Sequence, residues 1–146
     1  MQYKKTQNTY IVRVEKGEEA MEKLAELCEK ENIKAGSINA IGATNKAELL
    51  WYDADKKEYS NKIFEGENYE ITSFLGNISR KKSLDKAQDK PYLHCHITMG
   101  NKDLVAFAGH CKSVIVSGAF EAIVQTFDAD IGRELDEETG LNLVKF

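Results

Sequence analysis

Thr9-Tyr-Ile-Val-Arg-Val14, then Gly17-Glu-Glu-Ala20 and Met21-Glu-Lys-Leu-Ala-Glu-Leu-Cys-Glu-Lys30, carries the strongest strand and helix signals in the chain. The first six residues are rich in β-branched side chains and predict a strand. Gly17 ends that strand, and Glu18 and Glu19 open a helix, where their charges suit its positive N-terminal end. From Ala20 the apolar residues recur at Leu24, Leu27 and Cys28, spacings of four, seven and eight that share one helical face. Glu22, Lys23, Glu26 and Lys30 turn to water. No other segment carries so long a helical pattern.

Everything downstream has the character of strands. Ser37–Ile41 (running to Gly42), Ala47–Tyr52, Tyr59–Phe64, Tyr69–Ile78, Tyr92–Thr98, Leu104–Ala108 and Val114–Phe127 are the segments. Asp53–Lys57 and Gly100-Asn101 are turns between them, Glu65–Asn68 separates Tyr59–Phe64 from Tyr69–Ile78, and Gly76-Asn77 marks a bulge or a close backbone approach. Arg80 to Lys90 reads as a charged loop closed by Pro91, and Asp136–Phe146 as a tail that adds a short edge strand. The class is α+β: a β-α-β start followed by a large, mostly antiparallel sheet packed on one main helix. With no repeat, linker or low-complexity segment, residues 1–146 read as a single domain.

Composition narrows the function. Twenty Lys and Arg against 24 Asp and Glu give a net charge of −4, which excludes a whole-surface electrostatic grip on nucleic acid. No run of 18 apolar residues exists, and the polar N-terminus lacks the apolar middle of a signal peptide. Cys28, Cys95 and Cys111 cannot all pair within one chain and form no CxxC, so free thiols in a cytoplasmic setting are expected.

All three histidines lie within 17 residues, at His94, His96 and His110. On a strand, His94 and His96 share a face with Cα atoms about 6.6 Å apart, close enough for two imidazoles to meet one ion. A three-residue hairpin loop puts His110 opposite Tyr92, and a five-residue loop puts it opposite His94. Either odd length brings it to the shared face, whereas an even length sends it away. Three neutral imidazoles suit a divalent metal, zinc above all, and leave a position for water. Acidification toward pH 5 should release the ion if the imidazoles keep a pKa near 6.5. Parity turns Cys95 and Cys111 to the other side of the sheet. The alternative reading makes these histidines satisfied polar residues at a sheet edge.

Glu121 stands alone among Val114, Ile115, Val116, Ala119, Phe120, Ala122, Ile123 and Val124. A carboxylate there must be paired, ligated or placed at an edge, and it is a candidate for general base or fourth ligand. Equally, it pairs with Arg13, itself between Val12 and Val14. Asn77 is a lesser catalytic candidate. Arg80-Lys81-Lys82 with Lys86 and Lys90 is the one basic cluster; Asp85 and Asp89 interrupt it, so a solvated loop is the expectation.

Several motifs in order, Arg13…Gly17-Glu18, Ile41-Gly42-Ala43, Trp51-Tyr52-Asp53, Glu65-Gly66, Tyr69-Glu70-Ile71, Leu75-Gly76-Asn77, Leu93-His94-Cys95-His96, Gly109-His110 and Thr139-Gly140-Leu141, resemble the PPC domain (plants and prokaryotes conserved) from Thr9 to Leu141. The resemblance implies a homotrimer and a structural relationship to acetolactate decarboxylase, whose metal site is chiefly histidine. It carries the metal positions to His94, His96 and His110. In plants the domain is joined to AT-hooks, Arg-Gly-Arg-Pro motifs that this sequence lacks, so DNA is not an expected partner of the isolated chain. The expected function is small-molecule binding or metal-assisted chemistry on an unidentified substrate. The alternative is a non-catalytic trimeric scaffold or DNA-associated regulator.

Overall fold

A computed structural model describes residues 1–81 and 89–146. The elements are β1 (Gln2–Thr6), β2 (Thr9–Val14), α1 (Ala20–Lys30), β3 (Gly36–Asp53), β4 (Glu58–Lys81), β5 (Lys90–Gly100), β6 (Ala106–Thr126), β7 (Gly132–Leu135) and β8 (Asn142–Lys145). Six strands form one antiparallel sheet in the order β1-β2-β6-β3-β4-β5, and β5 also pairs with β6. Strands β6, β3, β4 and β5 therefore close into a ring.

The opening β-α-β unit follows from the sequence. The β2 side chains alternate, with Tyr10, Val12 and Val14 buried. Glu19 caps α1 by accepting from the backbone N–H groups of Met21 and Glu22. Its Oε1 also accepts from Val114 N at 2.7 Å, tying the helix start to β6. Ala20, Leu24, Leu27 and Cys28 form the buried face of α1, which packs against β5 and β6. The helix links β2 to β3, which flank β6 and are each antiparallel to it.

The main sheet has fewer, longer strands than the turn signals predict. Ser37–Ile41 and Ala47–Tyr52 both belong to β3, whose register shifts between Ala40 and Gly42 and between Thr44 and Lys46. Bulges absorb the polar residues between them without ending the pairing. Thr44 is fully buried at this irregularity, its hydroxyl within hydrogen-bond reach of the Lys46 and Ile115 carbonyls at 2.9 and 2.7 Å. Tyr59–Phe64 and Tyr69–Ile78 likewise merge into β4. Glu65–Asn68 is not a hairpin turn but a kink at Gly66 (φ +94°), a conformation that favours glycine. Leu104–Ala108 and Val114–Phe127 largely merge into β6, with Leu104 left in the loop at φ +60° and 90% exposed.

Both chain ends depart from expectation. The N-terminal residues form β1, an edge strand joined to β2 by Gln7 and Asn8. Its mixed polar sequence has no alternation to betray it. The C-terminal tail extends no edge; it pairs with Gly132–Leu135 as a separate two-stranded sheet. Of the basic cluster, Lys82 and Lys86, with Asp85, lie outside the described residues. Arg80 leaves it altogether: it is buried, donating to the carbonyls of Cys28 and Asp89.

Candidate metal centre

Strand β5 alternates cleanly at the site. Cys95, Ile97 and Met99 point into the core, which sends His94 and His96 to the other face. Gly76 of β4 lies directly opposite Cys95. A Cβ there would strike the Cys95 sulfur and approach His94 O to 2.9 Å, so glycine lets the two backbones meet behind the histidines.

Closing the ring supplies the third imidazole. The connection from Gly100 to Ala106 has five residues, an odd length, and His110 reaches the shared face. Its cross-strand partner is His96, not His94 or Tyr92, because β5 stays paired through Gly100 and the loop starts at Asn101. Asn101 sets that loop: its Oδ1 accepts from Asp103 N and Val105 N at 3.1 and 2.9 Å. The three imidazole rings lie 5.1–5.5 Å apart between centroids. One nitrogen from each falls within 4.8 Å of the others. Tetrahedral binding at about 2.0–2.1 Å needs those nitrogens about 3.4 Å apart, a gap that rotation of three side chains can close.

The site favours neutral imidazole, the form that binds metal. Burial, then His94 and His96, push the His110 pKa down to about 4. His94 is also lowered, by burial first, then by His96 and Arg133. Protons therefore compete for the His94 and His110 nitrogens at more acidic pH than for a free imidazole. The cysteines stay out: all three are buried, and burial pushes the Cys28 and Cys111 thiols up to about 12 and Cys95 higher still.

The structure does not bring Glu121 to this cluster. It lies eleven residues beyond His110 on the same strand and is not among the donors that gather within 4.8 Å of one another. It is exposed, opposite Arg13 and Ile41. Arg13 is its neighbour by register, but the guanidinium pairs with Glu15 at 2.9 Å. Asn77 does reach the site, directly opposite His94, where its Oδ1 accepts from Arg133.

Other groups complete the surroundings. Tyr59 lies against His110 at 5.9 Å and against Tyr52 at 4.7 Å. The Arg133 guanidinium lies 4.8 Å over the Tyr92 ring. Sequence spacing gives no hint of these neighbours, since Arg133 arrives from β7, outside the sheet that carries the histidines. Such an assembly can hold a divalent ion on three neutral donors beside open coordination positions.

The model of the Plants and Prokaryotes Conserved (PCC) domain family matches residues 1–128. A solved protein from Bacteroides thetaiotaomicron, described as a "putative dna binding protein", is 37% identical with a TM-score of 0.89; the match covers 99% of this chain and 96% of that one. A metal-containing protein from Archaeoglobus fulgidus is 34% identical, TM-score 0.84, over 97% and 95%. A Staphylococcus aureus protein similar to alpha-acetolactate decarboxylase shares the fold alone, at 11% identity and TM-score 0.53 over 84% of this chain and 53% of that one. Comparison with curated proteins finds no match.

A pH dependence follows for the metal-free protein. An imidazole whose pKa is lowered on folding is neutral in the native state while the unfolded chain already binds its proton. Its stabilising effect is full above the ordinary value of 6.5 and is lost as pH falls toward about 4. Urea midpoints of chelator-treated protein should drop between pH 7 and pH 4.5, and less steeply in His110→Ala. A His110 ring proton that titrates at 6.5 or above by NMR would contradict this.

Proposed function

The chain belongs to the Plants and Prokaryotes Conserved (PCC) domain family, and from that premise we propose a single-domain, cytoplasmic, homotrimeric protein that holds one divalent metal ion, zinc first, on His94, His96 and His110. Its role is to bind a small polar molecule there or to assist its chemistry. The convergence of the three histidine nitrogens within 4.8 Å carries this reading. A metal-containing relative at 34% identity supports it. Glu121 is outside this set, exposed beside Ile41 on the outer face of the sheet.

Bound there, the ion supplies Lewis acidity and a more acidic bound water. The protein's own residues do the rest. His94, His96 and His110 donate neutral nitrogen, and Asn77 braces the strand face beside His94 while holding Arg133. Tyr59 lies against His110 on the other side of the cluster. Burial raises the Tyr59 phenol pKa, keeping it a proton donor at neutral pH.

The trimer rests on the same outer face. Ile11, Ile41, Leu75 and Ile123 are each more than half exposed. Cross-strand pairs Ile11–Ile123, Ile123–Asn39, Asn39–Leu75 and Leu75–His96 run in one row from β2 to the histidines. An apolar row of this kind calls for cover, and an interface on it borders the metal site. DNA is the second reading, motivated by the description of the Bacteroides relative. The net charge of −4 and the burial of Arg80 weigh against it for this chain alone.

Two outcomes are expected. Protein purified without a histidine tag should carry about one equivalent of metal per chain. His94→Ala, His96→Ala and His110→Ala should each weaken binding by more than the roughly 10–100-fold that loss of a supporting residue costs, while Cys95→Ala retains the metal. Elemental analysis checks this; metal lost in Cys95→Ala and kept in His110→Ala would refute it. Sedimentation should report three chains per particle, and Ile123→Asp should release monomers. A stable wild-type monomer at micromolar concentration contradicts the trimer.

A further inference from the structure

The hairpin β7–β8 is fastened to the sheet on both sides of the histidines. On the His94 side, Arg133 donates through Nε to Ser79 Oγ at 2.8 Å and through Nη2 to Asn77, the residue opposite His94. On the His110 side, the Tyr52 hydroxyl donates to Thr139 O, and the Tyr52 ring packs at a tilt against Tyr59, which lies against His110. Lys57 reinforces that end by donating to Glu137 O at 2.8 Å. The hairpin is thus a strap along one wall of the site, and it lies beyond the residues that the family model matches.

Arg133 is the unusual member. It is partly buried, and its acceptors are a hydroxyl, a side-chain amide and the Asn142 carbonyl, all neutral. Among the described residues no carboxylate lies within ion-pair distance of it. A guanidinium has five N–H donors; three are engaged here, leaving one on each terminal nitrogen. Burying an unpaired charge is costly, and a carboxylate or phosphate would offset it with bidentate geometry. The three metal ligands are also neutral, so a divalent ion would keep its full charge beside that of Arg133. Two like charges in a half-buried site favour an anion between or beside them.

We infer that Arg133, held against Tyr92 by the hairpin strap, is the oxyanion-recognition residue of the histidine site, so that its ligand is a small carboxylate or phosphate bearing an anionic group. This rests on the metal reading above and narrows it to a substrate class. Tyr92 offers its ring face to the guanidinium, and Asn77 and Ser79 fix its direction by accepting from it.

The test uses full-length protein loaded with cobalt(II), whose visible bands report its coordination, titrated with acetate and separately with inorganic phosphate. Wild type should show saturable band shifts with at least one probe, and the tighter one gives the ligand class. Arg133→Gln should weaken binding at least about tenfold with cobalt retained, and Arg133→Lys should lie between. Tyr52→Phe loosens the other end of the strap but keeps the charge; its affinity should stay within about threefold of wild type. Equal affinity in wild type and Arg133→Gln overturns the proposal, and so does a loss in Tyr52→Phe as large as in Arg133→Gln. Absence of cobalt bands in the wild type refutes the metal reading itself and removes this inference with it, a failure distinguishable from bands that ignore Arg133.

Discussion

The pairing of β5 with β6 is the contact on which the rest depends. Strand β6 serves three neighbours along its length: β2 and β3 over its later half, β3 and β5 over its first. Five antiparallel pairs, from His96 with His110 to Gly100 with Ala106, close the ring. Without them the sheet would have two free edges and His110 would have no fixed relation to the HxH pair. A one-residue slip would turn His110 into the core and Cys111 outward. The odd loop organised by Asn101 guards that register.

The same closure divides the chemistry by face. Inside are the thiols, held protonated by burial among Phe74, Ile97, Met99 and Val114. Outside are the imidazoles, with His94 and His110 biased toward the neutral form by burial, flanked by tyrosines on one side and a guanidinium on the other. The two sets of potential metal donors sit on adjacent residues of the chain yet face opposite sides of the sheet. Backbone parity, rather than any special environment, selects nitrogen over sulfur.

Much of this was legible in the sequence because it depends on local period. The β2–α1 stretch shows its buried residues directly, and the His94–His96 spacing shows its shared face. What stayed hidden depends on long-range context. Bulges at Gly42 and Thr44 let β3 pass through polar residues that read as breaks. The kink at Gly66 does the same for β4. Glu121 looked like a buried carboxylate because its neighbours are apolar, but in a strand those neighbours alternate, and it shares the exposed face with Ile123. Arg133 carries no motif at all; only the docking of a tail hairpin onto Asn77 and Ser79 brings it to the histidines.

That register alone assembles an all-nitrogen site from three histidines on two paired strands is the claim at the centre of this account. X-ray absorption at the zinc edge of the metal-loaded protein tests it most directly. The account predicts a first shell of three imidazole nitrogens with light oxygen donors, all near about 2.0–2.1 Å. A sulfur shell near about 2.3 Å would place Cys95 or Cys111 on the metal and contradict it.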